Sequence, residues 1–209
     1  MQTDIGKSIE DKSMEIIDNE IGEHGYNRSE WTVVKRVIHT TADFDFARKN
    51  KMIFHERAII NGINALKNGC KLIVDVNGVI GGLHKKNLHD FKIDVICNIS
   101  NEIVKNKARQ HNKTISQVAM REATDYMNGN IIAIGNAPTA LLEVIKMCDE
   151  QIITPSLIIG IPVGFISASE SKEQLIKNYT IPFITNVGRK GGSACAAAII
   201  NALFKLIRN

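Results

Sequence analysis

Arg36-Val37-Ile38-His39-Thr40-Thr41 sets one titratable imidazole at the end of an apolar segment and follows it with two hydroxyls. An ordinary imidazole, with a pKa of about 6.5, gives or takes a proton near neutrality, and the hydroxyl pair after it suggests the lip of a cavity. Arg36 precedes His39 by three residues, so on a helix the two share a face. A cation there disfavours the imidazolium and makes His39 a stronger acid than free imidazole. Two plainer roles stay open on this stretch alone: a satisfied core histidine, or an exposed residue at the end of a helix.

Three later turns could bind oxygens. In Gly135-Asn136-Ala137-Pro138-Thr139, Pro138 suits the first turn of a helix that Asn136 could cap, leaving free amides beside a sheet edge. Gly160-Ile161-Pro162-Val163-Gly164-Phe165 is the second. In the third, Asn186 to Ser193, Gly188, Gly191 and Gly192 permit close backbone approach, Arg189 and Lys190 add charge, and Ser193 opens a helix of small residues. That combination suits carboxylate or phosphate oxygens. It is neither a dinucleotide-binding fingerprint nor a Walker loop. Asp75, at the end of a strand, is an acid to watch, or else a helix cap. His24, His55, His84, His89 and His111 lie in charged or loop-like surroundings and read as surface, and no carboxylate or thiolate pattern completes a metal site around His84 and His89.

The elements that must position these residues follow from hydrophobic period. Gly6 to His24 reads as a helix stopped by Gly25, with Ser13 inside it, although spacing alone does not single Ser13 out. A second helix opens near Ser29, buries Val33, Val34, Val37 and Ile38, and runs out at His39. A third spans Glu56 to Asn68. The period then changes: 71–76, 94–99, 130–135, 156–161 and 180–186 read as strands separated by helical stretches, with Asn77-Gly78 and Gly81-Gly82 as a flexible exit from the first. The expected fold is a three-layer, open, mostly parallel α/β sheet of about five strands with helices on both faces and N-terminal helices before the first strand. Ligands of such sheets bind outside the carboxyl ends of the strands. Helix 194–207 is too apolar to stay exposed and should pack on the sheet.

The 209 residues suit a single domain over 1–209. Only 5% are aromatic, with one Trp, so no stacking ladder for single-stranded nucleic acid exists. The net charge of +4 is mild, and the clusters Arg48-Lys49-Asn50-Lys51, His84-Lys85-Lys86 and Lys105-Asn106-Lys107 are scattered rather than massed. Cys70, Cys97, Cys148 and Cys195 have neither zinc nor disulfide spacing. With no leader and no apolar run long enough for a span, the expectation is a soluble, cytoplasmic protein.

Taken in order, the motifs around His39, Ile134 to Leu141, Gly160 to Phe165, Glu170-Ser171-Lys172 and Gly188 to Ala194 resemble the precorrin-8X methylmutase family, including its cobalt-precorrin-8 branch, through almost the whole chain. The resemblance implies an isomerase of corrin biosynthesis that moves a methyl group from C-11 to C-12 of the macrocycle by a 1,5-sigmatropic shift, giving hydrogenobyrinate or cobyrinate. It implies His39 as the active-site histidine, with Arg36 and Ser13 in contact with substrate. It also implies a homodimer with no cofactor of its own, any cobalt belonging to the corrinoid substrate. Thr40 and Thr41 then shape the pocket, while Asn136, Gly188, Arg189, Gly191, Gly192 and Ser193 meet side-chain carboxylates. Relatives commonly carry Thr-Arg-Ser where this chain has Thr114-Ile115-Ser116, so Lys113 or Arg121 would have to supply a lost cation. Two other readings remain: a corrinoid carrier without chemistry, and a nucleotide- or sugar-phosphate enzyme on the same architecture.

Overall fold

A computed structural model describes residues 3–49, 51–177 and 180–208. Asn50, within one of the basic clusters, lies outside the described residues. Helix α1 (Asp4–Ile21) starts earlier than hydrophobic spacing predicts, because the Thr3 hydroxyl accepts from the Gly6 amide and caps it. It also stops earlier, at Gly22 rather than Gly25: Gly22 takes φ +65°, a left-handed conformation that glycine adopts without penalty. Helix α2 (Arg28–Thr41) opens on Asn27, not Ser29. Asn27 Oδ1 accepts from the amides of Ser29 and Glu30, and the Glu30 carboxylate accepts from the Asn27 amide, a reciprocal capping box. The helix does not run out at His39 but continues through Thr41 to a left-handed Ala42, so the imidazole sits in the last turn. Val33, Val34, Val37 and Ile38 are buried as their spacing requires.

Besides two short 3-10 helices, Phe44–Ala47 and Thr124–Tyr126, the remaining elements are β1 (Met52–Phe54), α3 (Ala58–Lys67), β2 (Lys71–Val74), α4 (Asn77–Gly81), α5 (Lys85–Asp90), β3 (Asp94–Ile96), α6 (Glu102–Gln110), α7 (Ile115–Arg121), β4 (Ile131–Ile134), α8 (Pro138–Asp149), β5 (Leu157–Gly160), α9 (Ala168–Lys177), β6 (Phe183–Asn186) and α10 (Ser193–Arg208). The described sheet has six strands, in the order β1-β6-β5-β4-β2-β3. Five are parallel, and the unpredicted β1 pairs antiparallel with β6 at one edge. Asn77 to Gly81, expected as a flexible exit, is a short helix.

Strand alternation divides the interior. Leu72, Val74, Ile131, Ala133, Leu157, Ile159 and Ile184 face α2, α3 and α10, whereas Ile73, Ile132, Ile134, Ile158 and Phe183 face α6, α7, α8 and α9. Helix α10 lies between the sheet and α2, with buried residues from Cys195 to Phe204. Its inner stripe of alanines lets it approach closely: a Cβ on Gly82 would meet Ala197 Cβ at 2.6 Å. No helix among the described residues is long and apolar enough to cross a membrane.

Candidate active site

His39 lines a hollow of about 290 Å³ between α1 and the end of α2, walled by Ser13, Ile16, Ile17, Glu20, Ile38, Ala42 and Phe44. The walls are mostly apolar, and among the described residues no hydrogen bond engages either nitrogen of the half-buried ring. Burial lowers the His39 pKa, and the Arg36 guanidinium lowers it further, as expected from their spacing; Glu10 opposes both, and Lys205 adds a weaker push downward.

The structure brings Ser13 to this hollow beside His39. Its hydroxyl donates to the Ile9 carbonyl at 2.8 Å, which leaves its oxygen able to accept. Arg36 points to a different groove, between α1, α2 and the last turns of α10, where it pairs with Glu10. Its charge therefore reaches His39, while its donors engage a carboxylate of the chain itself. Thr40 is exposed at the end of α2, whereas the Thr41 hydroxyl donates to the Val37 carbonyl at 2.9 Å.

The glycine turn after β6 sits against the segment that follows His39. Lys190 Nζ donates to Asp43 and Asp45 at 2.7 and 2.8 Å, and Phe44 between those acids forms part of the hollow's wall. Gly191 is obligatory there, since a Cβ would lie 2.3 Å from the Ile161 carbonyl oxygen. Gly188 takes φ +82°. Arg189 is exposed over the Phe165 ring, 6.0 Å from its centroid, and among the described residues no carboxylate pairs with it. Ser193 opens α10 against Gly78 and Gly135, and a Cβ on Gly135 would lie 2.7 Å from the Ser193 Cα.

The turn at Asn136 corrects an expectation. Its amides are not free: Asp75 accepts from Gly135, Asn136 and Ala137 at 2.9, 2.8 and 2.7 Å, so the nest is already filled by a side-chain carboxyl group. Ala137, not Asn136, occupies the cap position, and the Asn136 side chain is exposed. Asp75 is completely buried; burial raises its pKa and the three amides pull it back toward ionisation.

Arg121 does not stand in for the missing arginine within this chain. It pairs with the buried Glu143 and with Glu150, on the sheet face opposite His39. Ile115 and Lys113 lie exposed on that same side. Spacing did not single out Glu10, Glu20, Phe44 or Lys205, because each meets His39 or its hollow only through packing of separate elements. Lys172 is a further buried charge; it belongs to the Glu170-Ser171-Lys172 motif, which carried the only sequence signal for it.

An open α/β sheet whose flanking helices hold an unengaged imidazole of lowered pKa in a mostly apolar hollow defines a class: a protein equipped for proton transfer to a ligand in a low-polarity site. The family is specific. The chain belongs to the precorrin-8X methylmutase family, whose model matches residues 8–206. It is 46% identical to the cobalt-precorrin-8 methylmutase of Leptospira interrogans, over 98% of this chain and 95% of that protein. It is 44% identical to the enzyme of the same name from Priestia megaterium, over 94% and 86%. The crystal structure of the precorrin-8X methylmutase from Thermus thermophilus superimposes with a TM-score of 0.88 at 35% identity, covering 97% of this chain and 96% of that one.

Proposed function

We propose that the chain is an isomerase of cobalamin biosynthesis that moves the methyl group of a corrinoid from C-11 to C-12, with cobalt-precorrin-8 as substrate and cobyrinate as product. The unengaged His39 in its apolar hollow carries this reading. The cobalt-bearing substrate is favoured because the relatives at 46% and 44% identity are both named for it. The cobalt travels with the substrate.

The reaction balances internally. The methyl bond to C-11 breaks as the bond to C-12 forms, and the conjugated double bonds shift without net gain or loss of electrons. No external oxidant, reductant or nucleophile enters that balance, so the reading requires no cofactor of the protein's own. What the protein must supply is a proton shared with a ring nitrogen while the double bonds rearrange. His39 is the donor; positioned proton transfer of this kind gives about 10² to 10⁴ in rate. The lowered pKa makes its imidazolium a stronger acid, and the apolar wall keeps water from competing for the proton. Ser13 presents a hydroxyl group in the wall of the hollow, Thr40 stands exposed in the same last turn of α2 as His39, and Thr41 fixes the end of that helix. Arg189 and the Gly188 to Ser193 turn meet the peripheral carboxylates.

The hollow, about 290 Å³, lies at the lower bound of ordinary small-molecule pockets, which run from about 300 to 1,000 Å³, and a corrinoid needs more. A second copy completing the site accounts for this, and it would also cover Ile5, Ile9 and Ile16, exposed along the α1 face that leads into the hollow. We therefore read the protein as a cytoplasmic homodimer of single-domain chains.

The test is multiple turnover. Wild-type protein incubated with excess cobalt-precorrin-8 should change its absorbance by many equivalents, and NMR of a 13C-labelled methyl group should place it on C-12. Binding without product beyond one equivalent would instead make the protein a carrier.

A further inference from the structure

Lys172 on α9 is fully buried, and among the described residues no carboxylate pairs with it. Its ammonium donates to Asn186 Oδ1 at 3.1 Å and to the Lys190 carbonyl at 2.7 Å. The buried Asn186 amide donates to the same Lys190 carbonyl and to that of Val187, both at 3.0 Å. Two more bonds hold the turn from the β5 side, from the Gly164 amide to the Arg189 carbonyl and from the Gly192 amide to the Ile161 carbonyl. Beyond the turn, Lys190 braces Asp43 and Asp45, which flank the Phe44 wall of the His39 hollow.

We propose that Lys172 is a positioning residue of the corrinoid site: with Asn186 it clamps the Gly188 to Ser193 turn, so that Arg189 faces the substrate and Lys190 holds the Phe44 wall in place. The inference rests on the methylmutase reading for its effect on substrate, but the clamp itself can be observed without substrate.

A purely structural origin explains the residue poorly. A buried ammonium without a counter-charge costs stability, and an unbranched apolar side chain would fill the same space at lower cost. Burial pulls the Lys172 pKa down to about 8, with only weak opposing support from Cys195 on α10. A charge kept at that cost, with one bond to the turn itself and the other to the Asn186 side chain that also holds it, is kept for what the turn does.

Lys172→Met removes the clamp and preserves the packing. Wild-type turnover is measured first, so a failure of the methylmutase reading shows there and leaves the clamp to be judged by amide exchange. The variant should keep its melting temperature within about 4 °C of wild type. Its KM for the corrinoid should rise about 10-fold or more, the scale of a lost charge-assisted bond, while kcat falls by less than about threefold. Hydrogen exchange should quicken at 188–192 and at 43–47 and remain unchanged in the sheet. Asn186→Leu, which removes the other arm of the clamp, should give the same KM rise and the same local exchange, and serves alone if the methionine variant does not fold. Wild-type KM and exchange in either folded variant overturns the proposal, as does exchange that quickens throughout the molecule.

Discussion

Charge and burial act together on His39, and the acid opposing them comes from another helix. Desolvation and Arg36 push its pKa below the ordinary value, and Glu10, paired with Arg36, pushes back. Arg36→Gln removes one lowering influence and takes one of its cationic partners from Glu10, which Lys205 still approaches at 3.7 Å, so both changes raise the pKa. NMR titration of the His39 ring protons should show the midpoint moving upward from its wild-type position below 6.5. If the imidazolium is the donor, conversion in the wild type declines as pH rises through that midpoint, and the variant holds activity to higher pH; a midpoint that moves down would contradict this account of the site. On stability the shift works in the opposite sense: a depressed histidine contributes above its unfolded pKa of about 6.5, and that contribution is lost as pH falls through the folded pKa. The Arg36 influence was legible in the sequence because three residues on a helix fix a distance. The Glu10 influence was not, since it depends on how α1 crosses α2.

At the scale of elements, the turns at the carboxyl edge are held by groups of the chain itself. Asp75 fills the amide nest between β4 and α8, so Asp75→Ala leaves three amide donors unsatisfied around a cavity. Hydrogen bonds to a charged group are individually strong, and the variant should lose about 3 kcal/mol or more of stability in urea unfolding. A loss under about 1 kcal/mol would mean that water replaces the carboxylate without penalty. Five strands were legible because each is a compact apolar run followed by a polar or glycine turn. The edge strand β1 was not: Met52-Ile53-Phe54 is three residues long and gains strand geometry only from pairing with β6. Helix ends were misplaced by a few residues for a related reason. Asn27 and Thr3 cap through their side-chain geometry, which hydrophobic spacing does not report. The free amides expected at Asn136 failed because the strand order that places Asp75 beside that turn is not written in local sequence.

For the whole molecule, the sheet separates His39 from Ile115: the hollow lies on the α1 and α2 side, and α7 packs on the other face. A residue at the position of Ile115 cannot reach a ligand over His39 within the same chain, and under the proposed homodimer it would do so from a second copy. Sedimentation should give twice the chain mass, and Ile9→Asp together with Ile16→Asp should halve it and weaken corrinoid binding; a wild-type monomer with full turnover would remove the dimer from the account. The layered architecture and the order of the motifs were legible along the chain, but the face on which each motif lies came from the crossover connections. The most direct measurement is the turnover of His39→Ala with cobalt-precorrin-8, followed by absorbance, with corrinoid binding and melting temperature measured on the same sample. The variant should fold, still bind the ring and convert it about 10² to 10⁴ times more slowly. Conversion near the wild-type rate would contradict His39 as the proton donor.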